Sequence, residues 1–296
     1  MCRLFGMHAG ATPARATFWL LSAPDSLAQQ SRKEADGTGV GVFGPDGHPV
    51  VDKQALAAYE DRQFAAEARD LESRTFLAHV RYASTGADAP VNTHPFEQDD
   101  RLLAHNGVLE GLDVLDARLR ELDVMDLVHG DTDSERMFAL ITAMARRNGG
   151  DVGAAVVTAV TWIAENIPVY AANLLLATAT DVWALRYPET HPLYVLQRGF
   201  SGSREVAGQA AFEARTERIS VHSETLGGRP SVVIATEPMD DDPGWRLMGA
   251  GELLHVTEAL EVHSSAPLPA QPTHPLTLKD LAPQAAASQR PKKEPV

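Results

Sequence analysis

Cysteine is almost missing from this chain. One thiol, Cys2, stands among 296 residues, which excludes an internal disulfide and any zinc site built on several cysteines. Positive charge is scarce as well, because 26 Lys and Arg face 40 Asp and Glu and leave a formal net charge of −14. A surface this acidic argues against phosphate-backbone binding, which needs clustered Lys and Arg, and against docking on an anionic membrane. Long apolar runs are absent too: a stretch such as Leu174–Ala177 is far too short to span a bilayer. The opening MCRLFGMHAG lacks the charged start and apolar core of a secretory signal. Together these absences predict a cytoplasmic protein whose partners are neither nucleic acid nor membrane. No HExxH or HxxxH spacing surrounds His79, His94 or His105, so no metal and no cofactor is expected.

What remains is an ordinary globular composition, 44% hydrophobic and 22% charged, long enough to bury a substantial core. Residues 2–8 alternate as a strand, and a helical stretch interrupted at Pro24 is expected over Pro13–Lys33. Gly37, Gly39 and Gly41 punctuate a second strand, where missing side chains let another backbone approach. Arg74–Ser84 reads as a strand with Phe76, Ala78, Val80 and Tyr82 on one face and Leu77, His79 and Arg81 on the other. Arg101–His105 reads as a short strand stopping at Asn106-Gly107, a common turn dipeptide. Apolar residues at helical spacing predict helices over 111–123, 132–148 and 152–166. The remainder is mostly strands, including a hairpin about Thr180-Asp181. Helices clustered between two sets of antiparallel-looking strands predict an α+β layer fold. From Ser264 onward the composition shifts to Pro, Ala, Gln and Lys, so 1–263 reads as one domain and 264–296 as a disordered tail.

Most of the residues suited to chemistry fall in four places: Cys2, HVRYASTG at 79–86, AHNG at 104–107 and DTDSE at 131–135. Each has an ordinary explanation alone. Arg81 suits a structural ion pair, Asn106-Gly107 suits a turn, and Thr132 with Glu135 suits a helix capping box. The capping box leaves Asp133, in the first turn, without a role.

Taken in order, with NTHPF at 92–96, these segments resemble the class II glutamine amidotransferases. ADGTGVGVF at 35–43 and ATEPMDDDPGW at 235–245 are similar to the stand-alone branch, which includes the γ-glutamyl amidohydrolase of ergothioneine biosynthesis. The resemblance implies the four-layer αββα sandwich of the N-terminal-nucleophile hydrolases. It implies that Met1 is removed and that Cys2 attacks the γ-carboxamide to form a thioester. Asn106 and Gly107 would form the oxyanion hole. Arg81 would hold the substrate α-carboxylate, and Asp133 the α-ammonium with Ser84 and Thr85. Tyr82 stands where tryptophan is common in the family, and Thr85 where the synthase-linked domains often carry histidine. The implied substrate is glutamine or a γ-glutamyl conjugate. Two alternatives stand beside hydrolysis: ammonia supply to a separate synthetase, and a catalytically silent binding protein. A homodimer is a further expectation about partners.

Overall fold

In the computed structural model, which describes residues 2–32, 36–82, 89–199, 213–216, 219–222, 229–269 and 271–289, most strands assemble into two antiparallel sheets stacked face to face. In chain order the first eight are β1 (Arg3–His8), β2 (Gly37–Phe43), β3 (Pro49–Gln54), β4 (Thr75–Arg81), β5 (Phe96–Gln98), β6 (Arg101–Leu109), β7 (Val169–Ala177) and β8 (Val182–Leu185). Then come β9 (Tyr194–Arg198), β10 (Glu213–Thr216), β11 (Ile219–His222), β12 (Ser231–Ala235), β13 (Arg246–Leu247), β14 (Leu253–Val256) and β15 (Val262–Ser265). One sheet runs β13-β9-β12-β1-β4-β2-β3 and the other β15-β14-β8-β7-β6-β5, while β10 and β11 pair with each other as a separate two-stranded sheet among the described residues.

Strand alternation decides which residues meet between the sheets. On β1, Leu4 joins Leu77, Leu102, Ala104, Leu175 and Ile234 in the inner core, whereas Phe5 and Met7 face outward. The outward set packs on a π-helical turn at Phe18–Ser22 and on helices α1 (Leu27–Gln30) and α2 (Arg62–Asp70), chiefly through Trp19, Leu20, Leu27 and Phe64. On the far side, α3 (Leu112–Glu121), α4 (Asp133–Arg147) and α5 (Val152–Asn166) set Leu115, Phe138, Ile141, Val156 and Ile163 against Leu103, Leu174 and Leu176. Helices, sheet, sheet, helices: this is the four-layer αββα sandwich. No helix among the described residues is long and apolar enough to cross a membrane.

The predicted helices over 111–123, 132–148 and 152–166 stand within a residue or two at each end. Close approach at the glycines of β2 is real: a Cβ on Gly39 would lie 2.1 Å from the His94 carbonyl oxygen. Elsewhere the structure departs from expectation. The expected helix over Pro13–Lys33 survives only as the turn at Phe18–Ser22 and the single turn of α1, and Lys33 lies outside the described residues. β6 does not stop at Asn106-Gly107 but runs through it, pairing Asn106 with Asn173 and Gly107 with Ala172. Ladder pairing there overrides the dipeptide's turn preference. β3 and α2 fill the stretch 44–73, for which no element is predicted.

The tail from Ser264 is also packed, against its reading as disordered. Val169 N–H donates to His274 O at 3.0 Å and Leu276 N–H to Val169 O at 2.9 Å. Beyond this, α6 (Pro283–Gln289) and Leu281 bury Ala285 and Ala286 against Val108, Tyr170 and Ala171. Composition misses this because a few small apolar residues suffice once a preformed groove receives them. Residues 290–296 lie outside the described residues.

Candidate active site

The β1 ladder places Arg3 opposite Val80 of β4, so Cys2 lies beside the end of β4. Its Sγ meets the backbone of Tyr82, accepting from N–H at 3.3 Å and lying 3.4 Å from the carbonyl oxygen. The thiol is buried. His79 and Arg81 project from β4 on the face that carries Leu77, as the predicted alternation requires. Cys2, Arg81, Gly107 and Asp133, drawn from four distant segments, line a single cleft of about 20 Å³. Asn106 is the neighbour of Gly107 in β6, 2% exposed, and its Oδ1 is buried without a hydrogen-bond partner. Ser84 and Thr85 lie outside the described residues.

α4 begins where the cleft does. Thr132 caps it, its hydroxyl accepting from the Glu135 N–H at 3.2 Å. The second half of the expected capping box is different: the Glu135 carboxylate reaches past Thr132 and accepts from the Gly130 N–H at 2.7 Å. This leaves Asp133 buried in the first turn, where the helix dipole favours an anion. Its Oδ2 accepts from the Leu109 N–H at 2.8 Å and its Oδ1 from the Ser134 N–H at 2.9 Å. Those two bonds aim the carboxylate and tie α4 to the strand carrying Asn106 and Gly107. Each oxygen retains acceptor capacity for a bound cation.

Gly107 is required sterically, since a Cβ there would lie 1.8 Å from the Ala171 carbonyl oxygen. His105 sits behind it. Its Nε2 lies 3.4 Å from the Ala171 carbonyl oxygen and its Nδ1 is hydrogen-bonded with the Ser134 hydroxyl at 2.9 Å. Burial lowers the pKa of His105. Two more imidazoles line the cleft, His79 and His94, with ring centroids 4.2 Å apart. The His94 ring has no hydrogen-bonded nitrogen, and the His79 ring has at most a weak contact with the His105 backbone. Burial pushes His79 down to about 3 and holds His94 well below its ordinary value, so both are neutral at physiological pH. Asn92 completes the wall, its Oδ1 accepting from the Asp131 N–H at 2.9 Å and joining NTHPF to DTDSE. Sequence reasoning treats NTHPF only as a motif and misses Asn92, His94 and Ser134 as cleft residues. The available signal was their membership of NTHPF and DTDSE, not any chemistry of their own.

A sequence model of the family described as glutamine amidotransferases class-II matches residues 1–277. The chain belongs to that family. Among curated relatives, it is 28% identical over 239 residues to an uncharacterized protein of Methanocaldococcus jannaschii, covering 78% of this chain and 63% of that protein. It thus spans somewhat less than two thirds of that relative's length. It is 29% identical over 269 residues to the gamma-glutamyl-hercynylcysteine sulfoxide hydrolase of Mycobacterium tuberculosis, covering 87% of this chain and 94% of that protein. Among solved structures, the glutamine phosphoribosylpyrophosphate amidotransferase of B. subtilis superposes with a TM-score of 0.61 at 19% identity, covering 90% of this chain and 49% of that one. That likeness bears on the fold. Membership of that family makes the chain an enzyme of the class II glutamine amidotransferase type.

Proposed function

We propose that the chain cleaves a γ-glutamyl amide bond through a thioester on Cys2, exposed as the terminal residue by removal of Met1. The observation that carries this reading is the convergence of Cys2, Arg81, Gly107 and Asp133 on one cleft. A terminal α-amino group titrates near pH 8, so it takes the thiol proton at neutral pH without a catalytic histidine. The buried histidines suit this division of labour, because their lowered pKa values make them poor bases.

The thiolate attacks the γ-carbonyl carbon, and the side-chain amide of Asn106 and the N–H of Gly107 receive the oxyanion. Losing one such donor typically costs on the order of 100- to 1000-fold in rate. Arg81 grips the α-carboxylate with a planar fork that lysine cannot reproduce. Asp133 accepts from the α-ammonium, assisted by Ser84 and Thr85. The C–N bond breaks, the amine leaves with the proton the α-amino group had taken, and water hydrolyses the thioester to glutamate. The gamma-glutamyl-hercynylcysteine sulfoxide hydrolase relative favours a γ-glutamyl conjugate over free glutamine as the substrate.

The test is glutamate release by protein with a processed Cys2 terminus, using glutamine, several γ-glutamyl amines and a γ-glutamyl sulfur–histidine conjugate. Cys2→Ala and an uncleaved N-terminal tag serve as controls. Cys2-dependent release from one conjugate, abolished by the tag, supports the reading. Undiminished release with the tag intact refutes the α-amino base, and no release from any substrate refutes the activity.

A further inference from the structure

The strand that carries Asn106 and Gly107 is contacted by a part of the chain beyond the family match, which ends at residue 277. α6 spans Pro283–Gln289, and with Leu281 it packs Ala285 and Ala286 onto Val108, Tyr170 and Ala171. Ala171 is the residue whose carbonyl presses against Gly107 and faces His105 Nε2. By strand alternation Val108 and Ala171 share a face with Asn106 and Asn173, so α6 covers that face immediately beside them.

A second contact enters from the end of α6. Gln289 is 2% exposed, and its Oε1 accepts from His191 Nε2 at 2.6 Å. Gln289 Nε2 in turn donates to Ser288 Oγ at 2.9 Å, so the carboxamide is held at both ends. The loop carrying His191 is bound to Asn173: one Asn173 side chain donates to the carbonyls of His191 and Pro192, each at 3.2 Å. Asn173 Oδ1 accepts from the Tyr187 N–H at 2.9 Å, which leaves this side chain no freedom to rotate. Asn173 is the direct cross-strand partner of Asn106 on the inner face of the sheet.

Asn106 needs such a neighbour. Its Oδ1 makes no hydrogen bond, so the orientation of its amide is set by what packs beside it. An oxyanion donor works only when preorganised, with its own rotamer locked by the surrounding shell. His191 suits a place in that shell, since burial lowers its pKa to about 4 and keeps it neutral near the site.

We propose that Gln289, His191 and Asn173 form a brace that orients the Asn106 carboxamide, making the C-terminal helix a positioning element for catalysis. The brace rests on the reading of Asn106 as an oxyanion donor.

The experiment is a double-mutant cycle on full-length protein with a processed Cys2, using L-glutamine as the probe substrate and glutamate release as the readout. Its corners are the unsubstituted protein, Gln289→Ala, Asn106→Ala and the double variant. Gln289→Ala should lower kcat by about 10-fold, short of the roughly 100-fold that a 1 Å misplacement can cost, with KM nearly unchanged. In the Asn106→Ala background the same change should cost nothing further, because its effect passes through Asn106. Gln289→Glu, which keeps an acceptor oxygen at the same reach, should retain kcat. If Gln289→Ala does not fold, Gln289→Asn, too short to reach His191, takes its place in the cycle. Unchanged kcat in the single variant, or equal losses in both backgrounds, overturns the brace. Full activity in Asn106→Ala, or no Cys2-dependent glutamate release by the unsubstituted protein from either L-glutamine or a γ-glutamyl sulfur–histidine conjugate, overturns the oxyanion reading itself and the brace with it.

Discussion

Lowering the pH from 7 to 5 should destabilise this protein through its buried histidines. His79 is fully buried, and burial sets its pKa at about 3. Burial likewise brings His191 to about 4. In the unfolded chain an imidazole titrates near 6.5. Because the folded values are the lower ones, the unfolded chain binds these protons first. The stabilising contribution is therefore complete above the unfolded pKa and is lost as pH falls toward the folded one. Each group loses about 1.4 kcal/mol per pH unit within that window, or about 2 kcal/mol between pH 7 and 5. His79 and His191 together should thus remove about 4 kcal/mol from a total of order 5–15 kcal/mol. His94, lowered by burial, adds a loss of the same sign. Glu67 acts oppositely: burial and the neighbouring Asp52 raise it to about 7, so its protonated form favours the fold as pH falls. Glu67→Gln removes that contribution. The assay is urea unfolding of Glu67→Gln protein at pH 7, 6 and 5, with and without His79→Phe. The expected result is a steep loss of stability, shallower by about 2 kcal/mol over the range in the His79→Phe background. A flat profile, or a slope indifferent to His79→Phe, would refute the reasoning.

Gly107→Ala should cost about 1–3 kcal/mol or more, because its Cβ meets backbone at 1.8 Å and the β6–β7 pairing must spread. Thermal unfolding reads the stability, and glutamate release should fall along with it. Arg81→Lys should raise KM for glutamate release by tenfold or more, on the order of 1.4 kcal/mol, with the unfolding midpoint unchanged. An unaltered KM would remove Arg81 from substrate binding. Asp133→Ala strips the Leu109 N–H of its buried acceptor, so it should destabilise by about 1–3 kcal/mol as well as weaken substrate binding. Unfolding with and without a bound γ-glutamyl ligand separates those two effects.

The sequence by itself determined the family resemblance, the three long helices and the two faces of β4. Helical periodicity in 152–166 and alternation in 74–84 are local patterns, and neither depends on what packs against them. The tertiary structure decided the rest. β6 runs through Asn106-Gly107 because Asn173 and Ala172 pair with it, and those partners are remote in the chain. Glu135 bypasses the expected capping contact because the Gly130 amide lies within its reach. His79 and His94 are ordinary histidines until two sheets close over them and drive out the water that would favour their charge. The tail after Ser264 has too few large apolar residues to predict order, yet Leu281, Ala285 and Ala286 are ordered by a groove that exists only once β6 and β7 have paired. Local propensity is written in consecutive residues, whereas burial, pairing and the approach of one backbone to another are properties of residues that meet only in the folded chain.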